Sequence, residues 1–294
     1  MADYIDDFID SLNRRETTKE TYRKALREFS KWLGDASPVG LCTKDIERYK
    51  DFIISKNLSP TSMSAYLTAV RRLYEHLLDS GKVSENPAKK IKGSSRPKRH
   101  LTEPLTGLEV HKLFSALDMS SDIGVRDSAM LNLMARSGLS EIEIIRANLE
   151  DVKRRGTRTV IYVQGKSKDK KDEYVTLGPE VTAALNKYLS NRGDSDAGEP
   201  LFWGIGNRAK NLRVTTRGIR ARVNHYFELS GIRRKGITPY SLRHTAAILA
   251  IEGGANVSEV KEMLRLKTTA SALVYFEEAR ESKNKLGNKR KFKK

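Results

Sequence analysis

The stretch TPYSLRHTAA, residues 238–247, sets an arginine, Arg243, and a histidine, His244, about one turn into a helix that then runs apolar to Gly253 and Gly254. A guanidinium held at the head of a helix suits a phosphate. It is always charged, its N–H fork matches two nonbridging oxygens, and the exposed backbone N–H groups of the first turn add positive potential. Two other stretches carry related chemistry: SGLSEIEIIRANLEDV (137–152), and GKSKDKKD (165–172), a basic turn between two strand-like runs. The first of the three, TPYSLRHTAA, predicts a site that holds a phosphate.

The elements that must position these residues follow from periodicity and turn chemistry. Pro239 is placed for the first helical position, with Thr238 as N-cap. RTVIYVQ (158–164) and EYVTL (173–177) read as two strands of a hairpin. Around them the spacing predicts helices over 106–118, 122–137, 140–149, 179–190, 215–230, 257–265 and 270–283, with a loop up to about 215. Residues 3–34 read as one or two helices, followed by helices over 43–55, capped by Thr43, and from Ser59–Pro60 to Gly81. NPAKKIKGSSRPKRHLTEPLT (86–106) mixes Pro, Gly, Ser and charge without periodicity, as a linker does. The predicted organisation is therefore a helical domain over 1–92, a basic linker over 93–105, a second domain over 106–284 and a basic tail over 285–294.

Composition bounds the function. The 294 residues suit two domains, and 55 Lys+Arg against 37 Asp+Glu give a formal charge of +18. Self-repulsion at that balance points to a polyanionic partner, and nucleic acid is the usual one. The basic residues also cluster: KKIKGSSRPKRH (89–100) and KLGNKRKFKK (285–294) each hold six Lys/Arg and read as flexible arms. The acidic, mixed N-terminus MADYIDDFID does not resemble a signal peptide, and no apolar run approaches a membrane span. A cytoplasmic, nucleoid-associated protein with no membrane role is expected. The single Cys42 excludes a disulfide framework and a cysteine-cluster zinc site.

In order and spacing, SGLSEIEIIRANLEDV, GKSK, TPYSLRHTAA and ALVYFEEA (272–279) resemble the tyrosine recombinase (phage integrase, Xer-like) family. The resemblance covers nearly the whole chain. It implies a mainly α fold with a small β-sheet in two parts: a helical SAM-like core-binding domain, and a mixed α/β catalytic domain. It implies cleavage and rejoining of DNA through a 3′-phosphotyrosine intermediate, without metal or nucleotide cofactor, by a homotetramer on paired sites that is a monomer or weak oligomer when free. Tyr275 matches the family's nucleophile, Arg243 its phosphate-binding arginine, and Lys166 its leaving-group acid, with Lys168, Lys170 and Lys171 close by. A phenol with pKa near 10 attacks phosphorus only if its proton leaves and the charge of the phosphorane is neutralised, which is work for guanidinium groups.

Three positions depart from the family's pattern. Ser140 stands where a first arginine is expected, Tyr240 where a His or Lys is, and Leu266 where a His or Trp is. Ser140 followed by Glu143 also reads as a capping box that merely starts a helix. Arg136, and more distantly Arg146, are the neighbouring cations available to fill the gap. Tyr240 can still donate a hydrogen bond to a phosphate oxygen. His244 reads as a satisfied helix histidine. For DNA contact, the candidates are Arg71 and Arg72 on the helix over 60–79, the hairpin lysines, and Arg96, Lys98 and Arg99 of the linker, all of which also suit plain solvated faces. Two other readings stand beside the recombinase: a catalytically impaired DNA-binding accessory protein of the same family, and a nicking and closing enzyme of the type IB topoisomerase kind.

Overall fold

The computed structural model describes residues 1–93, 99–165, 168–193, 195–204 and 212–291, with residues 282–291 as backbone only. Two compact units divide the chain, Met1–Pro97 and Lys98–Lys294. Lys166 and the linker residues Arg96 and Lys98 lie outside the described residues, as do residues 292–294. No helix among the described residues is long and apolar enough to cross a membrane.

The first unit is helical: α1 (Ala2–Ser11), α2 (Glu16–Leu33), α3 (Thr43–Ser55) and α4 (Pro60–Asp79). α4 starts as its sequence dictates, with the Ser59 hydroxyl accepting the Ser62 N–H and Pro60 at the first position. Its Met63, Leu67, Val70, Leu73, Tyr74 and Leu77 recur at helical spacing and are buried with Phe8, Phe29 and Tyr49. Each such burial contributes about 1.5–3 kcal/mol relative to exposure. α3 begins at Thr43, so Cys42 rather than Thr43 takes the cap position, its N–H donating to Asp45 at 2.8 Å.

Arg71 is occupied inside this unit. Its Nη2 donates to the Ile91 carbonyl at 2.6 Å and its Nε to the Ala88 carbonyl at 3.3 Å, tying the segment after α4 back onto the helix. Arg72 points outward and pairs with Glu75 at 2.6 Å. Of the two groove candidates, only Arg72 therefore has a side chain on the open surface.

The second unit builds α5 (Gly107–Ser115), α6 (Asp122–Ala135) and α7 (Glu141–Arg146). A three-stranded sheet follows, β1 (Val152–Arg155), β2 (Arg158–Val163) and β3 (Glu173–Thr176), and then α8 (Pro179–Arg192), α9 (Thr216–Leu229), α10 (Ser241–Glu252), α11 (Val257–Met263) and α12 (Thr269–Lys291). The sheet is antiparallel in the order β1-β2-β3, with Ile161 of β2 paired to Val152 on one side and Val175 on the other. Two strands are predicted from sequence and three are present. β1 reads VKRR, with one apolar residue, because it is an edge strand whose cations face water and block further pairing. α6 is buried from Gly124 through Ala135, including Asp127, which is held by Arg126, Arg222 and Tyr226.

Several boundaries differ from the sequence reading, three of them by a change that bears on the site or the tail. α7 stops at Arg146 instead of 149, and a 3-10 turn over Leu149–Asp151 completes the segment. α10 starts at Ser241, with Tyr240 rather than Thr238 at the cap. A turn forms first, in which the Thr238 N–H donates to the Ser241 hydroxyl at 3.0 Å and the Ser241 N–H to the Thr238 carbonyl at 2.8 Å. The expected flexible arm over 285–294 is instead a continuation of the α12 backbone to Lys291, in keeping with the helix propensity of its lysines and arginine.

Gly138, between α6 and α7, has φ +64°, and an added Cβ would lie 2.6 Å from Leu264 Cδ2. A side chain there is opposed both by the left-handed backbone and by close packing. Gly138→Ala is expected to destabilise this unit by about 2–4 kcal/mol, read as a lower denaturant midpoint at unchanged slope.

Candidate active site

The loop before α7, the head of α10, the end of α11 and the middle of α12 bring the candidate residues together. Gly138 exposes its carbonyl at that loop, and Arg243 Nη1 donates to it at 2.7 Å. The same nitrogen donates to Glu143 Oε2 at 3.0 Å, and Arg243 Nη2 donates to the Leu264 carbonyl. Arg243 is thus fixed by partners from three elements and is only 8% exposed.

A second guanidinium, absent from the sequence reading, enters the same cluster. Arg265 follows α11 and donates through Nε to Glu143 Oε1 at 2.6 Å and through Nη2 to Glu143 Oε2 at 2.7 Å. Its Nη2 also reaches the Gly138 carbonyl at 3.1 Å, and its Nη1 donates to the Met263 carbonyl. Arg265 holds φ 52°, a left-handed conformation that a glycine would adopt more freely. In sequence it is one more cation in a chain rich in them; the only local signal is its place between Leu264 and Leu266.

Glu143 is the anchor. Burial raises its pKa, but hydrogen bonds and charge from Arg265, with the charge of Arg243, outweigh burial and hold the carboxyl below its ordinary range. The Ser140 N–H and hydroxyl each donate to Glu143 Oε2 at 2.7 Å. The carboxylate reaching back to the helix start is the arm of the capping box expected from sequence.

The two cations considered for the gap at Ser140 lie elsewhere. Arg136 pairs with Glu180 of α8 and stacks over Phe114, its guanidinium carbon 5.1 Å from the ring centroid. Arg146 Nη1 donates to the Gly165 carbonyl at 3.1 Å, bracing the turn that leads to Lys166. On that hairpin Lys168 pairs with Asp172 at 3.1 Å and Glu173 at 3.2 Å, Lys171 pairs with Asp151, and Lys170 is exposed.

Tyr275 lies in a small apolar cluster with Ala247, Val260 and Leu264, against which Leu266 packs. The ring is 2% exposed and lies against His100 and His244, at centroid distances of 4.4 and 5.0 Å. Its phenol feels Tyr240, itself 44% exposed, and the charge of Arg243. Burial first, then Tyr240, push the phenol well above its ordinary pKa while Arg243 opposes them. The nucleophile candidate and the arginine therefore share one corner of the unit.

His244 is buried, and both ring nitrogens face oxygen acceptors: the Thr102 carbonyl at 2.8 Å and Glu278 Oε2 at 2.7 Å. His100 Nδ1 meets the same Glu278 oxygen at 3.0 Å, and the His100 N–H donates to Oε1 at 2.7 Å. Among the described residues this trio is the grouping able to offer ligand atoms to a metal, and as it stands its own hydrogen bonds close it. It fastens α12 to the start of the second unit, and Arg99 with Glu281 at 3.1 Å adds a weaker, exposed tie. Burial raises Glu278, but hydrogen bonds from His100 and His244 bring it down to about 2. A carboxyl lowered in the fold stabilises above its unfolded value and loses that effect as pH falls toward its folded one. Glu278→Gln is accordingly expected to lower the thermal midpoint near neutral pH, with the gap to wild type closing as pH falls from about 4.5 to about 2.

Beside Arg265 runs an open groove of about 720 Å³, walled by Arg265, Leu266 and Lys267 on one side and by Asp172 to Thr176 on the other. Chemically, the arrangement offers a phenol and two guanidiniums in one corner of the unit, beside a groove whose lining carries both acids and bases.

Comparison with known proteins gives the family of the chain. The model of the phage integrase family matches residues 103–281, and that of the phage integrase N-terminal SAM-like domain matches residues 3–81. The chain is 27% identical over 288 residues to the tyrosine recombinase XerD of Listeria innocua, covering 94% of each chain. It is 29% identical over 254 residues to the tyrosine recombinase XerC of Pelobacter propionicus, covering 84% of this chain and 80% of that one. In fold it resembles a XerH site-specific recombinase bound to a palindromic difH substrate, with TM-score 0.75 at 18% identity over 92% of this chain and 78% of that one. A lambda integrase dimer bound to a COC′ core site gives TM-score 0.71 at 15% identity over 92% of this chain and 96% of that one. With both domain models matched in order and the arginine and tyrosine converging as described, the chain belongs to the phage integrase family.

Proposed function

We propose that this chain is a site-specific DNA recombinase that cuts and rejoins strands through a 3′-phosphotyrosine intermediate. The observation that carries the reading is Tyr275, whose phenol feels both Tyr240 and the charge of Arg243, in a chain with a net charge of +18. In the first step the phenol oxygen bonds to phosphorus as the P–O5′ bond breaks. The phenol gives up its proton to solvent water, and the leaving 5′ oxygen takes one, for which Lys166 is the proposed donor. Religation runs the step backwards on a new 5′-hydroxyl, so the phosphotyrosine conserves the energy of the broken bond.

Arg243 holds nonbridging oxygens, and Tyr240 donates a hydrogen bond to the same phosphate once the phenol has moved onto phosphorus. Met1–Pro97 serves as the core-binding domain, with Arg72 among its DNA contacts, while Lys170 and the linker cations Arg96, Lys98 and Arg99 add phosphate contacts. The working assembly is a tetramer on two sites, and the protein associates with the nucleoid. Phosphate contacts dominate such binding. Affinity is therefore expected to fall about 10³-fold or more between roughly 50 and 200 mM salt, measured by fluorescence anisotropy on duplex DNA.

The test is capture of a covalent adduct on nicked duplexes drawn from genomic DNA of the source organism, where loss of the short 5′-hydroxyl fragment traps the intermediate. Wild type is expected to yield a protein–DNA adduct that maps to Tyr275. Recombination between two captured sites then separates a recombinase from a nicking and closing enzyme. Tight binding without any adduct would turn the reading into that of an accessory DNA-binding protein.

A further inference from the structure

We infer that Arg265 is a catalytic residue of this enzyme, the second guanidinium that contacts the nonbridging oxygens of the scissile phosphate together with Arg243. The inference rests on the recombinase reading above and adds a residue to its chemistry.

Three observations carry it. The first is charge: Arg243 and Arg265 converge on one carboxylate, Glu143, and share the Gly138 carbonyl. Among the described residues Glu143 is the carboxylate that both guanidiniums hydrogen-bond, while Glu173, whose charge also acts on Arg265, is itself paired with Lys168, so the cluster can accept a further anion. The second is donor geometry. Arg243 Nε has no hydrogen-bond partner among the described residues and is not among the buried unpaired atoms. One N–H on Arg243 Nη2 and one on Arg265 Nη1 are also unused among the described residues. Three donors on two adjacent guanidiniums match the oxygens of one phosphate.

The third observation is placement. Arg265 walls the groove beside β3, where Lys168 holds the nearby Asp172 and Glu173. Its left-handed backbone is the ordinary close of α11, where the Leu266 N–H donates to the Lys261 carbonyl at 2.9 Å, and this turn fixes where the Arg265 side chain starts. Arg136 and Arg146 are tied to Glu180 and to the hairpin carbonyls, so among these three arginines only Arg265 shares partners with Arg243. Ser140 donates to the same Glu143 oxygen. The guanidinium that the chain lacks at 140 is thus supplied across that carboxylate, from 265.

The experiment compares wild type, Arg265→Gln and Arg265→Lys on two versions of a captured nicked duplex. One carries the ordinary phosphate at the cleaved position and the other a methylphosphonate, which lacks one negative oxygen. On the phosphate, Arg265→Gln is expected to form adduct about 10²–10³-fold more slowly than wild type, and Arg265→Lys about 10-fold more slowly. On the methylphosphonate the deficit of either variant relative to wild type is expected to shrink to a few-fold, because less charge remains to neutralise. Thermal unfolding checks each variant, and if the Gln form does not fold, the Lys form is read alone. A variant within about threefold of wild type on the phosphate, or equally impaired on both substrates, overturns the role, since a structural arginine does not discriminate between them. Failure of wild type to form any adduct overturns the recombinase reading itself and this inference with it.

Discussion

Tyr275→Phe is expected to abolish adduct formation while leaving the fold and DNA affinity in place. The substitution removes one oxygen from a ring that is 2% exposed and packed against His100 and His244. Its structural cost is the polar interactions of one hydroxyl, about 0.5–1.5 kcal/mol. Its chemical cost is the nucleophile, and cleavage should fall by at least about 10⁴-fold, below detection in a covalent capture assay. The pH dependence has a sign as well. Burial keeps the phenol protonated through the ordinary range, so the free protein holds its nucleophile neutral and shielded. Adduct formation by Tyr275→Phe at anything near the wild-type rate would move the chemistry to another residue.

Glu143→Ala carries the largest expected cost in stability. The carboxylate takes hydrogen bonds from Ser140, Arg243 and Arg265, and it is 3% exposed. Truncation leaves two guanidiniums facing each other in the interior without a counter-charge. Breaking a buried pair in this way typically costs about 3–5 kcal/mol, or roughly 10 °C in thermal midpoint for a unit of this size. Glu143→Gln should lie between, since it keeps an acceptor and loses the charge. Because Glu143 is held below its ordinary pKa, its contribution is full above the unfolded value and fades as pH falls toward the folded one. The wild-type advantage over Glu143→Gln should therefore shrink on acidification. A midpoint change of less than a degree or two for Glu143→Ala would show that Arg243 and Arg265 are placed by something else. Adduct formation should fall along with stability, as both guanidiniums lose their common anchor.

Much of this protein was legible in its residues. The net charge named a polyanion as partner, helical periodicity placed most of the helices, and TPYSLRHTAA with ALVYFEEA carried the family resemblance. These signals are local or additive: a cap, a stripe of apolar residues and a sum of charges need no knowledge of the fold. β1 was not legible, because an exposed basic edge strand shows no alternation to read.

The site divides along the same line. Sequence determined that an arginine heads α10 and that a tyrosine follows in α12. Only the tertiary structure decided which other cation joins them, because that choice depends on which side chains meet across packed elements. Arg136, nearest to the gap along the chain, turns to Glu180, whereas Arg265, 125 residues beyond Ser140 in the numbering, reaches Glu143 from the end of α11. Likewise Arg71, which lies on the helix expected to face DNA, has its guanidinium tied to the carbonyls of Ala88 and Ile91. A charge in a sequence has a sign but no direction; packing supplies the direction, since a buried guanidinium must find its acceptors wherever the fold has left them.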